Sequence, residues 1–413
     1  MQSSSDQMLT IVRESNKAAV QLARIPGAKR RLGVRALAEA IVNSFDEILE
    51  ANTLDLEMSR EMAVNEPIAT WLKLTPERLE TTVSILKKLS NSAVPRSSID
   101  VPYQLEPSQA YCQRVPLGTI ALIYEAFPEL AAITAGMCLK TGNSLIIRGC
   151  NIASNTNKTI AAILKRALAA TDLPLNSIEA ISPNLGTSVQ DLVTQDRYLN
   201  LIIPYGRPSL VQQVAEKATA TVLKTTIGNC YLYWSVSGSL ELTRQVIIDS
   251  HNGEPDAVNA IEKVLVNRDI KPSVLRTLFS TLQHQGFTLR GDVILVDEFP
   301  EYLKLIQPEE WHRPYLNRIV TFRYVDSLSQ AVFWINRYSS GHADCIVTES
   351  YQEVRYFVQG IDSALVYVNT SPKFSRNPEG AEDIFLGMSN QRGYRQGLIS
   401  VETFTTVKQI IQG

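Results

Sequence analysis

The chain has 413 residues, enough for two or three domains that each bury a core of their own. Hydrophobic residues make up 45% of it and charged residues 20%, which excludes a disordered or fibrous protein. Forty basic and 42 acidic residues leave a net charge of -2, so the composition indicates no large basic surface for nucleic acid or an anionic membrane.

The cysteines and histidines indicate neither a disulfide framework nor a metal site. The five cysteines are odd in number, widely spaced and without a Cys-x-x-Cys pair, and no two of the four histidines are close in sequence. The first residues lack the regions of a signal peptide, and two acidic residues and a proline interrupt the most apolar stretch, 118–139. We therefore expect a cytoplasmic protein that binds no metal and spans no membrane.

The first part of the chain is predicted to be helical. Apolar residues recur at intervals of three and four over 15–89, the period of an amphipathic helix. Thr75 and Pro76 are typical of an N-cap and a first helical residue, so a helix is predicted to begin there. Alternating residues at Tyr103–Glu106 and Tyr111–Val115 then predict a two-stranded hairpin.

Strands and helices alternate after the hairpin, which predicts a parallel, doubly wound sheet. The predicted strands are Thr119–Tyr124, Ser144–Arg148, Ile178–Ile181 and Asn200–Pro204, and the predicted helices are Ala131–Lys140, Asn155–Ala170 and Ser188–Gln195. No Walker A or Gly-x-Gly-x-x-Gly motif is present. Because such sheets bind ligands outside the carboxyl ends of their strands, Arg148 and Gly206 are candidates for nucleotide contacts. A surface ion pair is the alternative for Arg148.

A second α/β series begins near Val222, and two α/β domains with a cleft between them are therefore predicted. Its predicted helices are Leu240–Ser250, Pro272–Gln285 and Leu328–Tyr338. Its predicted strands are Ala260–Val266, Val293–Val296, Arg318–Tyr324, Cys345–Val347 and Ala364–Val368.

Cys-Leu-Lys-Thr-Gly-Asn stands at 138–143 and His-Ala-Asp at 342–344. Further segments of the same kind lie at 51–57, 74–78, 114–125, 148–149, 228–230, 259–262, 362–369 and 380–382. Together these segments span nearly the whole chain in order. They resemble the glutamate-5-semialdehyde dehydrogenase family, also called γ-glutamyl phosphate reductase, within the aldehyde dehydrogenase superfamily.

The resemblance implies an aldehyde dehydrogenase fold of two doubly wound α/β domains. It implies an NADP-binding-type domain at 1–225 and 367–397, a catalytic-type domain at 226–366, and oligomerisation elements at 101–115 and 398–413. A homodimer or homotetramer is therefore expected. The family reduces γ-glutamyl phosphate with NADPH in proline biosynthesis, through a thioester that a cysteine thiolate forms by displacing phosphate.

Three positions that carry this chemistry in the family differ here. The family's nucleophilic cysteine precedes an Asn-Ala pair; here that pair begins at Asn259, and Val258 precedes it. Glu129 stands where the family has the asparagine of the superfamily's oxyanion hole, and Lys224 stands where it has the glutamate of the general-base position. Cys230 lies in a segment distinct from the nucleophile, so a buried structural role is favoured for it.

The residues predicted to bind the cofactor depart less from the family pattern. Arg148 stands at the strand-end position that contacts the adenosine ribose in the superfamily, and a guanidinium there also suits a 2'-phosphate. Glu382 stands at the nicotinamide-ribose position. The resemblance thus implies NADP(H) as cofactor, and a small acidic metabolite as the other ligand.

These departures lead to the hypothesis of a degenerate paralogue that keeps the fold and the oligomer, has lost the covalent reaction, and serves as a binding or regulatory partner. One alternative is an active reductase that uses an unusual nucleophile. Others are a changed, non-covalent reaction that uses Lys224 and Glu129, or a purely structural ion pair between these two side chains. Assembly with an active sister subunit is a further alternative.

Overall fold

The computed structural model describes residues 4–92, 98–99, 109–182, 185–253, 257–392 and 396–412. The chain divides into two compact units, each built around a parallel sheet. The first unit holds Met1–Thr225, Arg376–Leu386 and Leu398–Gly413, and the second holds Thr226–Ser375 and Gly387–Gly397. Within the described ranges, every helix is too short or too polar to cross a membrane.

The first unit has a four-stranded parallel sheet. In spatial order its strands are Ile178–Ala180, Ser144–Gly149, Thr119–Tyr124 and Leu201–Tyr205. Its α-helices are Ser4–Leu22, Gly27–Val42, Phe45–Glu61, Glu66–Leu72, Pro76–Asn91, Glu129–Thr141, Ser154–Ala169, Val189–Val193 and Pro208–Lys217, with short 3-10 helices at Asn151–Ala153, Leu175–Ser177 and Val401–Phe404. The strands and helices predicted for this part of the chain are confirmed to within two residues.

Burial explains why these segments adopt this architecture. Every residue of the strands Thr119–Tyr124 and Ser144–Gly149 is buried, as expected for a parallel sheet that helices cover on both faces. The helix Glu129–Thr141 is buried on all sides and ends at Gly142, which has φ +87°. A side chain at Gly142 would lie 2.3 Å from the guanidinium of Arg30, so both the backbone and the packing require glycine.

A three-stranded antiparallel sheet also belongs to the first unit. Its strands are Ser98–Ile99, Gln109–Pro116 and Thr405–Gln412, and Thr405 pairs with Pro116 at one end of the longer ladder. The predicted strand Tyr111–Val115 is confirmed, whereas Tyr103–Glu106 lies outside the described residues. The carboxyl-terminal strand is at one edge of this sheet.

The second unit has a seven-stranded parallel sheet. In spatial order its strands are Lys304–Leu305, Thr288–Gly291, Ile319–Val325, Ile261–Asn267, Cys230–Trp234, Ala343–Val347 and Leu365–Val368. Its helices are Leu240–Ser250, Pro272–His284, Val293–Glu298, Leu328–Tyr338 and Tyr351–Gly360, with a 3-10 helix at Pro308–His312; the short strands Met388–Ser389 and Gly397–Leu398 pair separately.

One prediction for the second part of the chain is corrected. Val293–Val296 was predicted as a strand and lies in a helix, because Asp292 caps the backbone N–H of Leu295 and the side chain of Val293 is 59% exposed. The strand Leu365–Val368 pairs with Ala343–Val347, and the second unit continues to Ser375. The functional domains predicted at 1–225 with 367–397 and at 226–366 stay a prediction.

A buried carboxylate joins two helices of the first unit and gives a test of its packing. Both oxygens of Asp55 accept from the start of the helix Ser154–Ala169: Oδ1 from Asn155 N at 3.1 Å, and Oδ2 from Thr156 N at 2.7 Å and Oγ1 at 2.6 Å. We expect Asp55→Ala to lower the free energy of unfolding by about 3 kcal/mol, because it leaves these donors buried without an acceptor.

Urea unfolding of the whole chain measures this effect. Glu57→Ala, an exposed position on the same helix, is the matched control and is expected to change the free energy of unfolding by less than about 0.5 kcal/mol. Equal losses in the two variants would contradict the role given to Asp55.

Candidate functional site

The carboxyl ends of the first unit's strands bring several predicted residues to one edge. The strand order reverses between Thr119–Tyr124 and Leu201–Tyr205, since the chain first adds strands on one side of Thr119–Tyr124 and then returns to the other. In open α/β sheets, ligands bind outside the strand ends at such a point. Gly206 follows one of these two strands, and Arg148 ends the neighbouring strand Ser144–Gly149.

Arg148 is at the predicted strand end, but the chain itself engages its guanidinium. Nη2 donates to the carbonyl of Thr187 at 2.6 Å and Nη1 to its hydroxyl at 3.2 Å. Only 7% of Arg148 is exposed, and this burial lowers its pKa, while the charge of Asp191 raises it. Because the side chain is buried and held by Thr187, the predicted surface ion pair is wrong, and the predicted nucleotide contact stays a prediction.

A second cation lies at this edge, and the sequence analysis did not predict its partner. Arg207, directly after Gly206, pairs with Glu125, which follows the strand Thr119–Tyr124. Nη2 of Arg207 lies 2.5 Å from Oε1 of Glu125, and this pairing raises the pKa of Arg207. Charged residues of opposite sign within two positions of the ends of two adjacent parallel strands were the signal that would have found the pair.

Glu129, the residue at the predicted oxyanion position, is buried and ion-paired. It is the first residue of the helix Glu129–Thr141, where the helix dipole favours a carboxylate. Its Oε1 accepts from Arg78 Nη2 at 2.6 Å, and Arg78 also donates to the carbonyl of Trp71 at 3.1 Å. Its Oε2 is buried with no hydrogen-bond partner among the described residues. The ionic partner of Glu129 is therefore Arg78, which corrects the predicted Lys224–Glu129 pair.

Lys224 and Glu382 both have exposed side chains in the first unit. The backbone around Lys224 runs beside the strand Leu201–Tyr205, since the hydroxyl of Thr225 donates to the carbonyl of Pro204 at 2.7 Å. Glu382 lies on the segment Arg376–Leu386, and Arg376 Nη2 donates to the Tyr205 hydroxyl at 2.8 Å. Both predicted residues thus lie on segments that return to the end of this strand.

The residue types at this edge are those that bind a phosphate-bearing nucleotide. Gly206 has φ +150°, and a side chain there would come within 2.8 Å of Glu125 Cβ, so only glycine leaves the strand end open. Arg148 and Arg207 are the guanidinium groups that phosphate and ribose oxygens require. If a dinucleotide binds here, these two side chains and Gly206 are the groups that would hold it.

The position predicted for the nucleophile belongs to the second unit, three residues before the start of the strand Ile261–Asn267. Val258 is fully buried, and its carbonyl accepts from Gly228 N at 2.8 Å and from His342 Nε2 at 2.9 Å. Asn259 is also buried; its Nδ2 donates to the carbonyl of Pro372 at 2.7 Å, while its Oδ1 has no partner among the described residues. Backbone hydrogen bonds therefore fix this segment whatever side chain stands at 258.

Cys230 contacts the histidine that binds this segment, and its surroundings are those of a core thiol. Its Sγ lies 3.4 Å from His342 Nε2 and is fully buried. That nitrogen donates to the carbonyl of Val258, which can only accept, so Nε2 carries the proton and has no lone pair for the thiol. Burial raises the pKa of Cys230 well above its usual value and lowers that of His342 to about 4. Cys230 is therefore a neutral core thiol.

Two buried carboxyl groups organise the same end of the second sheet. Glu262 accepts from three backbone N–H groups, those of Asn229, Tyr315 and Leu316. Asp344 accepts from Tyr231 N at 2.7 Å and from the hydroxyls of Ser339 and Ser363. Burial raises the pKa of Asp344 to about 7. The sequence analysis named both segments without giving these side chains a role, because their donors are far apart along the chain.

Comparison with known proteins gives a consistent result at three levels. Residues 1–229 match the aldehyde dehydrogenase family. Gamma-glutamyl phosphate reductase 2 from Synechocystis sp. is 54% identical over 388 residues, covering 94% of this chain and 92% of that protein. The gamma-glutamyl phosphate reductase of Gloeobacter violaceus is 35% identical over 415 residues, covering 100% and 99%. The crystal structure of gamma-glutamyl phosphate reductase from Thermotoga maritima, 30% identical, matches with a TM-score of 0.89 and covers 99% of each chain.

The burial of Cys230 predicts its reactivity. In the native protein at neutral pH, we expect iodoacetamide to leave Cys230 unmodified, because the neutral thiol is a weak nucleophile and is closed off from solvent. The measurement is peptide mass spectrometry after brief labelling, and the internal control is the same peptide labelled in urea. Rapid modification of Cys230 in the native protein would contradict its assignment as a core thiol.

Asp344 predicts a pH dependence of stability. Its pKa of about 7 in the fold exceeds the ordinary aspartate value, so between about pH 4 and pH 7 the folded state holds a proton that the unfolded chain has released. This group therefore makes the protein less stable as the pH rises through that window.

Between pH 5 and pH 8, the contribution of Asp344 amounts to about 3 kcal/mol. Urea unfolding at the two values should show a smaller loss for Asp344→Asn than for the wild type. Equal pH dependence in the two proteins would show that Asp344 does not titrate in this window.

Proposed function

The chain belongs to the gamma-glutamyl phosphate reductase family within the aldehyde dehydrogenases, and from that membership we propose that it is a member in which the covalent reductase reaction is lost or severely impaired. The observation that carries the proposal is Val258, an alkyl side chain directly before the Asn259-Ala260 pair. The retained role is then that of a binding or regulatory protein. Because the family's substrate is an acyl phosphate, a small acidic metabolite is the ligand that we propose for it.

The chemistry of a thioester explains why a valine closes the covalent route. Attack on an acyl phosphate needs a lone pair on the nucleophile, and release of the aldehyde needs the same atom as a leaving group. Val258 has neither a lone pair nor a polar hydrogen, and its burial admits no water in its place. Loss of the nucleophile in other enzymes costs about a millionfold in rate.

The charges at two further positions support the same conclusion. A developing oxyanion is stabilised by hydrogen-bond donors, whereas the carboxylate of Glu129 can only accept when ionised. Arg78 offsets part of its charge but donates to Glu129 itself. Lys224 has an amine in place of a carboxylate, so it cannot supply the carboxylate base of the family's position.

We further propose NADP(H) as the nucleotide of the first unit, with Arg148, Gly206 and Glu382 among its contacts. Aldehyde dehydrogenases generally use NAD(P), which supplies hydride when it is bound. The chain's own residues would orient it: the guanidinium of Arg148 toward ribose or 2'-phosphate oxygens, and Glu382 toward a ribose hydroxyl.

Assembly into a homodimer or homotetramer in the cytoplasm is part of the proposal. The elements 101–115 and 398–413 are proposed to mediate it. The edge strand Thr405–Gln412 supports this role, because it carries Val407, 46% exposed, and Ile411, 63% exposed.

An active NADPH-dependent reductase is the second candidate, and one observation favours it. The relative that is 54% identical carries the name gamma-glutamyl phosphate reductase 2, a name that states this activity. In that case another group of the chain has taken over the role of the sulfur, or the reaction at the site has changed.

The reverse reaction distinguishes the two candidates. We expect the purified wild type to reduce NADP+ with glutamate 5-semialdehyde and phosphate at no more than about 10⁻⁵ of the rate of an active family member, because no thiohemiacetal forms. Val258→Cys is expected to gain activity, and further activity when combined with Glu129→Asn. Val258→Ala is the matched control, because it shortens the side chain without adding a sulfur atom. It is expected to gain no activity.

Two results would overturn the proposal. One is a wild-type rate typical of the family. The other is an equal gain in Val258→Ala and Val258→Cys, since the position would then act through its size and not through a nucleophile.

A further inference from the structure

The ion pair between Glu125 and Arg207 lies where the strand order of the first sheet reverses. Glu125 receives four hydrogen bonds from Arg207: from the backbone N at 3.1 Å, from Nε at 3.1 Å to Oε1 and 3.0 Å to Oε2, and from Nη2 at 2.5 Å. Glu125 thus uses both the guanidinium fork and the amide that follows the strand Leu201–Tyr205.

The backbone on both sides holds the carboxylate in this position. Ala126, which follows Glu125, has φ +55°, a left-handed conformation that is strained for a residue with a side chain. Gly206, which precedes Arg207, has φ +150°, and any side chain there would come within 3.1 Å of Glu125 Oε2. The backbone of two loops, at Ala126 and at Gly206, therefore holds this ion pair in place.

A carboxylate and a phosphate compete for the same donors. Both accept two parallel N–H bonds from a guanidinium, and both accept from a free backbone amide. Parallel sheets bind ligands at this position, but here an anion of the chain already occupies the donors. Glu125 is largely enclosed, with 12% of its side chain exposed, while Arg207 is 42% exposed, so a solute can reach the cation.

We propose that Glu125 acts as an internal anion that a bound dinucleotide must displace, so that Glu125 and the phosphate groups of the dinucleotide compete for Arg207. This inference rests on the proposed function only in taking NADP(H) as the nucleotide of this edge. Its consequence is a reduced affinity: the apparent dissociation constant equals the intrinsic one divided by the fraction of molecules in which the pair is open. Arg207 is the cation for which the two anions compete.

Calorimetric titration with NADPH tests the proposal without turnover. Glu125→Gln keeps the shape of the side chain and removes its charge, so it is expected to bind NADPH about tenfold more tightly than the wild type. Arg207→Gln, which leaves the carboxylate without its partner, is expected to bind more weakly. Glu179→Gln is the matched control, because Glu179 pairs with Lys165 at 2.6 Å at another strand of the same sheet, and it is expected to bind as the wild type does.

Thermal melting shows which variants fold. If Glu125→Gln does not, Glu125→Ala takes its place with the same expected gain, since alanine needs no hydrogen-bond partner there. Unchanged or weaker binding of NADPH by the folded Glu125 variant would overturn the proposal.

A second outcome also overturns it. If neither the wild type nor any folded variant binds NADPH, the competition and the cofactor assignment both fail. The loss of the covalent reaction is tested separately by the semialdehyde assay, so the two proposals can fail independently.

Discussion

A thioester needs a sulfur atom, and Val258, the residue directly before Asn259, has none. Hydrogen bonds nevertheless hold the segment around it. The carbonyl of Val258 accepts from Gly228 and His342, and any residue at this position supplies that carbonyl. These two hydrogen bonds therefore do not require a particular side chain at position 258.

The stability of the fold also comes from groups that take no part in that reaction. Two parallel sheets, buried on both faces, supply the hydrophobic core. Buried carboxyl groups at Asp55, Glu262 and Asp344 each gather donors from separate segments, which ties the loops to the sheets. None of these contacts depends on the identity of residue 258.

The elements with regular periodicity were predictable from sequence, and those with an ambiguous pattern were not. Thr119–Tyr124 and Ser144–Gly149 are continuous apolar runs bounded by turns, and Thr75 caps its helix as predicted. Val293–Val296 has the β-branched residues of a strand, but Asp292 before it caps a helix in which Val293 and Ile294 are exposed and Leu295 is buried. The strand Cys230–Trp234 was missed, because its segment was considered only for its cysteine.

The hydrogen-bond and ion-pair partners of the site residues could not be predicted from the sequence for a different reason. Arg78 lies 51 residues before Glu129, and Thr187 lies 39 residues after Arg148, so neither contact follows from local spacing. The departures from the family pattern at Val258, Glu129 and Lys224 could be identified from the sequence, because they stand within segments that resemble the family. The fold shows their surroundings: Glu129 is ion-paired with Arg78, and burial keeps Cys230 protonated.

Intact-protein mass spectrometry tests the central claim most directly. The protein is incubated with γ-glutamyl phosphate in the absence of nucleotide, so that any acyl-enzyme accumulates, and is then quenched in acid. A mass identical to that of the untreated protein is the result this account predicts. An increase equal to one glutamyl group, mapped to a single residue, would contradict it and would identify the nucleophile.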